Sequence, residues 1–298
     1  MKVRFGPDGA HLFDRWSGMN LLLDEVEVPE RAWSAAPRQV SIALTNACDL
    51  ACTYCYAPKH RAVLGVESLL GWVRELDLAG ALGVGFGGGE PTLYRHLPDV
   101  CEYMAENTNL AVTMTTHGLR WNAALTSRLS GVVHFVRVSV DGTTNTYERL
   151  RGRSFERLRD SLRLIAADFR WGINTVINEE TIKDLDGIAS LASEYGAAEL
   201  LLLPQQPTKT AGGVQQATLR ELESWVRRYS GPVPLATSEN AEIGAPLARA
   251  LQHEVGLRSY AHIDATGTVR RSSYAERGVP VDEDGVMAAL ARLERMGA

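Results

Sequence analysis

Gln39-Val40-Ser41-Ile42-Ala43-Leu44-Thr45-Asn46-Ala47-Cys48-Asp49-Leu50-Ala51-Cys52-Thr53-Tyr54-Cys55 is the stretch whose reading decides the fold. Its first six residues are a β-type, largely apolar run, and the three thiols that follow lie in a polar loop at its end. Five further runs of this kind follow at 82–87, 110–116, 133–140, 172–178 and 198–203. Segments of helical period lie between them, near 66–80, 96–107, 121–130, 155–169 and 181–195. Largely apolar strands that alternate with helices predict a parallel sheet buried on both faces. The expected fold class is α/β, a partial (β/α)6 TIM-like barrel over residues 38–204. In such a barrel the functional residues gather at the C-terminal ends of the strands, where the cysteines of this chain fall.

On either side of this core the pattern changes. Residues 1–37 read as a small N-terminal β extension, a meander with turns at Gly6-Pro7-Asp8-Gly9 and Ser17-Gly18. Residues 205–298 read as a C-terminal helical and hairpin segment: helices near 218–229, 245–255 and 283–296, with a hairpin of Ser259–Asp264 and Thr268–Ser273. The composition, 45% hydrophobic and 22% charged, is that of a globular protein. A net charge of -5 carries no footprint for nucleic acid. No apolar run is long enough to span a membrane and the start has no signal-peptide core, so a cytoplasmic location is expected.

Four cysteines, three of them within eight residues, do not make a secreted disulfide framework; in a reducing compartment such a group binds metal or does redox chemistry. Iron-sulfur clusters are held by thiolates, and a trio with no fourth cysteine nearby leaves one iron of a cubane open. Zinc, with His60 as fourth ligand, would need the spacing Cys-x3-Cys-x2-Cys-x4-His, unlike the usual paired hooks.

The spacing Cys-x3-Cys-x-aromatic-Cys, with Tyr54 at the aromatic position, resembles the signature of the radical S-adenosylmethionine (SAM) superfamily. That resemblance implies that Cys48, Cys52 and Cys55 bind a 4Fe-4S cluster whose fourth iron is chelated by the amino and carboxylate groups of SAM. One-electron reduction then yields methionine and a 5'-deoxyadenosyl radical. It also implies a set of cofactor-binding positions besides Tyr54. Gly88, Gly89 and Glu90 stand where family members hold the SAM amino group. Ser139 and Asp141, in Ser-x-Asp-Gly, and the downstream Arg151 look like the family's contacts to the ribose, methionine part and carboxylate. Leu203 lies on the strand that resembles the adenine-facing one.

Two residues are candidates for catalysis. His117 departs from the Thr-Asn-Gly of many relatives, and Cys101 on the 96–107 helix is either a buried small hydrophobe or a hydrogen-atom donor. Asn174 and Asn178 are polar in an apolar run, so one of them is expected to face the interior. The chain is similar to the SPASM and twitch branch, which modifies peptides or natural products. Arg271, Ser272 and Ser273, however, stand where auxiliary-cluster cysteines are expected, so a single cluster is expected here. The reading is therefore an enzyme acting on a peptide, or on a small metabolite such as a sugar or nucleoside, with an electron donor such as flavodoxin or ferredoxin. A non-catalytic iron-sulfur redox protein is the alternative of another class, and it has no need of the SAM-binding segments.

Overall fold

The computed structural model describes residues 1–238, 244–246 and 251–297. The chain begins with β1 (Lys2–Gly6), β2 (Gly9–Phe13) and β3 (Asn20–Leu23), an antiparallel sheet of its own in that order. Gly9 makes the first turn with φ 108°, and a Cβ there would stand 2.2 Å from the Leu23 carbonyl oxygen. This meander is polar toward the body and apolar toward solvent. Arg4 is buried, donating from Nε to Glu254 Oε1 (2.6 Å) and from Nη1 to Gly80 O (2.8 Å), while Val3, Phe5, Leu21 and Leu23 are exposed.

Next comes the alternation expected from the sequence: β4 (Gln39–Thr45), α1 (Val66–Leu78), β5 (Gly83–Gly88), α2 (Leu97–Asn107), β6 (Ala111–Thr116), α3 (Ala123–Leu129) and β7 (Phe135–Ser139). α4 (Thr144–Arg151), α5 (Phe155–Asp168), β8 (Trp171–Ile177), α6 (Leu185–Glu194) and β9 (Leu200–Pro204) continue it. β4 to β9 pair in parallel in chain order, the arrangement of a partial TIM-like barrel. α4 is a helix that the sequence reading did not place; Gly152, left-handed at φ 65°, ends it immediately after Arg151.

After α7 (Gln216–Arg228), a short strand β10 (Leu235–Thr237) pairs in parallel with β9. β11 (Tyr260–Ile263) pairs in parallel with β4 at the other edge of the sheet. β12 (Thr268–Arg270) and β13 (Val279–Pro280) follow antiparallel, and α8 (Gly285–Arg295) packs against α1. The expected hairpin is thus β11 and β12, built into the core sheet. The helix expected near 245–255 is not found where the chain is described: 245–246 and 251–255 are bends and irregular backbone, and 247–250 lie outside the described residues.

The strands differ in one respect from the expectation that both faces are apolar. Val40, Ile42, Val84, Phe86, Val112 and Val136 are buried with residues of the flanking helices such as Leu69, Met104 and Ile165. The alternate positions, among them Ser41, Gly85, Thr113, Arg137 and Asn174, line a cavity of about 430 Å³. In a barrel only the outer strand face meets helices, so the period of two survives as an apolar and a polar face.

Candidate active site

The cysteine loop is an excursion closed at its base. β4 and β5 stay in register as far as Ala43–Gly87, then shift so that Thr45 pairs with Gly88, and this irregularity turns the chain out of β4. Thr45 Oγ1 accepts from Ala47 N (3.0 Å) and donates to Ala62 O (3.1 Å), while Leu64 N donates to Leu44 O (3.0 Å). From the side of β5, Gly89 N donates to Thr45 O (2.7 Å) and Glu90 N to Ala47 O (2.8 Å). A Cβ on Gly88 would meet Thr45 O at 2.3 Å, and one on Gly89 would meet Ala47 O at 2.2 Å. These two glycines therefore seat the backbone of the loop that carries the thiols. Gly87, by contrast, has nothing within 4 Å of an added Cβ and leaves open cavity.

Glu90 is buried, and its carboxylate is surrounded by donors. Oε1 accepts from Thr92 N (3.1 Å), Thr92 Oγ1 (2.6 Å) and Thr116 Oγ1 (2.7 Å); Oε2 accepts from His117 N (2.9 Å). His117 Nδ1 accepts from Leu119 N (3.0 Å), so the ring carries a proton on Nε2, which donates to Asp49 Oδ1 (2.8 Å). Burial alone would raise the Asp49 carboxyl, but the hydrogen bonds from His117 and Arg120 act against it and hold it below its usual range. A carboxylate oxygen of Asp49, a ring nitrogen of His117 and Cys48 Sγ lie within 4.8 Å of one another.

A second buried carboxylate organises the opposite wall. Asp141 accepts from Tyr54 Oη (2.6 Å) on Oδ2 and from Val176 N (2.7 Å) on Oδ1, and it pairs with Arg151. Arg151 also reaches Cys52 Sγ with Nη1 (3.7 Å), while its buried Nε has no hydrogen-bond partner among the described residues. Burial pushes the Tyr54 phenol up, and the neighbouring Asp141 charge adds to it. Burial acts to lower the Arg151 guanidinium, but Asp141, Tyr54, Cys52 and Tyr147 together outweigh it and the net direction is upward.

Cys48, Cys52, Cys55, Glu90, Ser139, Asp141, Arg151 and Leu203 line one cavity, with Tyr54, His117, Gly88 and Gly89. Asn174 lines it too, whereas Asn178 caps the next turn by accepting from Glu180 N (3.0 Å) and Thr181 N (3.1 Å). Cys101 does not line it: the residue is buried in α2, where burial pushes its thiol up. His60 is not on the cavity wall either. Arg270 pairs with Asp264 (2.8 Å), and Arg271 donates to Leu293 O (3.1 Å) at the end of α8. Ser41, Arg137, Tyr260 and His262 are wall residues that the sequence reading missed. Their signal was the polar half of the alternation in Gln39-Val40-Ser41-Ile42, Val136-Arg137-Val138-Ser139 and Tyr260-Ala261-His262-Ile263.

The donor set fits an iron-sulfur cluster. Burial pushes the Cys48 and Cys52 thiols up, a cost that a bound cation reverses because a coordinating metal deprotonates the thiol. The unpartnered Arg151 Nε and the open space at Gly87 fit a polar group beside it. A parallel barrel with three thiols at the C-terminal end of its first strand defines a class, and the family comparison names it. Residues 42–192 match the model of the Radical SAM superfamily, and the chain belongs to that superfamily, which uses a 4Fe-4S cluster and SAM.

Among its relatives is the mycofactocin maturase MftC of Mycobacterium tuberculosis, 31% identical over 170 residues that cover 54% of this chain and 43% of that protein. The sporulation killing factor maturation protein SkfB of Bacillus subtilis is 27% identical over 197 residues, covering 63% and 47%. The chain thus spans about half the length of the curated relatives it matches. Among solved structures, Streptococcus suis SuiB bound to S-adenosylmethionine aligns with a TM-score of 0.72 at 16% identity, covering 91% of this chain and 81% of that one. SuiB bound to the precursor peptide SuiA aligns at 0.73 and 17%, covering 86% and 65%. Likeness at this identity shows a shared fold. Among the described residues no helix is long and apolar enough to cross a membrane.

Proposed function

We propose that this chain is an enzyme that reductively cleaves SAM at a single 4Fe-4S cluster held by Cys48, Cys52 and Cys55, the 5'-deoxyadenosyl radical then abstracting hydrogen from a peptide substrate. The observation that carries the reading is the convergence, on one cavity, of the thiols with Glu90, Ser139, Asp141 and Arg151 from the ends of other strands and α4. An electron carrier has no use for that convergence.

The roles of the chain's own groups follow from their contacts. Gly88 and Gly89 fix the cysteine loop against β5. Asp141 aims Arg151, whose fork suits a carboxylate, at the thiol side of the cavity. Ser139 offers a hydroxyl and Leu203 an apolar surface on the same wall. Residues 38–204 would form the catalytic core, with an electron donor such as flavodoxin or ferredoxin supplying the reducing equivalent.

A peptide substrate is supported by relatives named as maturation proteins and by the fold shared with SuiB, which was solved with its precursor peptide. The polar inner wall favours a second reading, the same chemistry on a small hydroxylated metabolite. Anaerobic reconstitution with SAM and dithionite tests the proposal: 5'-deoxyadenosine is expected from the loaded protein and not from Cys52→Ala. A fully loaded cluster that yields none would sink it. A mass change in a supplied precursor peptide, rather than in sugars or nucleosides, decides between the two substrates.

A further inference from the structure

Below the thiols, the inner wall carries polar side chains that play no part in holding the cysteine loop. The inward positions of β5 are glycine; Gly85 and Gly87 line the cavity, while the Gln39 side chain and Ala111 fill the space at Gly83, so a trough runs past Gly87 to Gly85 between the side chains of the neighbouring strands. On one flank Ser41 Oγ lies 2.6 Å from Tyr260 Oη and 2.7 Å from His262 Nδ1, with Ser41 and His262 as register partners on β4 and β11. His262 is buried, and burial drives its pKa down to about 4, so the ring is neutral near pH 7. With Nδ1 engaged by Ser41, Nε2 is the ring nitrogen left for the cavity.

The far flank matches in kind. Thr113 of β6 faces the trough, and Asn174 of β8 has its Oδ1 buried with no hydrogen-bond partner among the described residues. The charged side chain on this stretch of wall, Arg137, is already paired with Glu199. An apolar ligand would leave the Asn174 oxygen unpaired, and burying such an acceptor unpaired is costly. An ionised ligand would meet neutral dipoles and a neutralised guanidinium, too little to repay its desolvation.

We propose that this trough binds a neutral hydrogen-bonding group of the substrate, a hydroxyl or a carboxamide, through Ser41, His262 and Asn174. What that binding serves rests on the radical-enzyme reading above; the binding itself is testable apart from it.

Saturation-transfer NMR on the cluster-loaded, SAM-bound protein supplies the test. The probes are the N-acetyl amides of serine, asparagine, leucine and aspartate, together with methyl riboside. The serine and asparagine probes should bind in preference to leucine and aspartate, and should weaken about tenfold in both Ser41→Ala and Asn174→Leu, the loss expected for a buried hydrogen bond. Ser41→Thr, which keeps the hydroxyl, should restore binding. Asn174→Leu sits on the opposite flank and remains informative if Ser41→Ala does not fold. Equal or tighter binding of the leucine or aspartate probe, or variants that bind like the parent, would overturn the proposal. Preferred binding of methyl riboside, lost in the same variants, supports the trough and moves the source of the group from a peptide to a small metabolite. Failure to form 5'-deoxyadenosine in a parallel assay counts against the radical reading and leaves the probe result standing.

Discussion

Gly87 and Gly89 stand two residues apart and should answer a methyl group in opposite ways. An added Cβ at Gly89 lands 2.2 Å from Ala47 O, so Gly89→Ala must displace the cysteine loop, and iron retained after reconstitution should fall. Gly87→Ala meets nothing within 4 Å and should retain iron and melt with the parent. Equal iron in the two variants would refute the view that Gly89 seats the loop. Glu90→Gln offers a second check. The carboxylate takes hydrogen bonds from Thr92, Thr116 and the His117 amide, and an amide in its place would turn an NH2 toward donors. A loss of about 1–3 kcal/mol in urea unfolding is expected, the cost of leaving such buried groups unpaired.

Between elements, the N-terminal sheet is held to the body by polar contacts. The Arg4–Glu254 pair is almost wholly buried, at 2% and 3% side-chain exposure, so removing one partner strands the other charge. Arg4→Met should cost on the order of 3–5 kcal/mol in urea unfolding, and adding Glu254→Gln should recover much of it. The outward face of the same sheet behaves differently. Leu21 and Leu23 are exposed, so Leu21→Ser and Leu23→Ser should each stay within about 0.5 kcal/mol of the parent. α4 makes the same point about elements: its mean composition is polar, yet it places Arg151 at Asp141 because Gly152 stops it there.

For the molecule as a whole, one buried and one half-buried histidine set a pH dependence. Burial lowers both His262 and His134 to about 4, with the Arg15 charge adding to the effect at His134. The folded state thus disfavours their protonated form, and between pH 6.5 and 4 the unfolded chain binds more protons. Stability is full above the unfolded value of about 6.5 and falls as pH drops toward 4, with a slope of up to about 1.4 kcal/mol per pH unit for each histidine. His262→Gln should flatten one of the two contributions in urea unfolding followed across that window. Asp49 and Asp264, held low in the fold, add their own loss further toward acid, as pH falls through their depressed values.

The alternation of strand and helix, the place of the thiols at the end of β4 and the segments brought to the cavity with them were legible in the sequence, because each depends on neighbours a few residues apart. Periodicity, a Cys-x3-Cys-x2-Cys spacing and a Gly-Gly-Glu run are local signals. What escaped was the work of distant partners. Ser41 meets His262 across 221 residues, Arg4 meets Glu254 across 250, and β11 completes the sheet beside β4. The sequence determined which positions alternate along each strand. Only the tertiary structure decided that the polar half of the alternation faces a cavity, because a barrel turns one face of every strand away from the helices and toward the other strands.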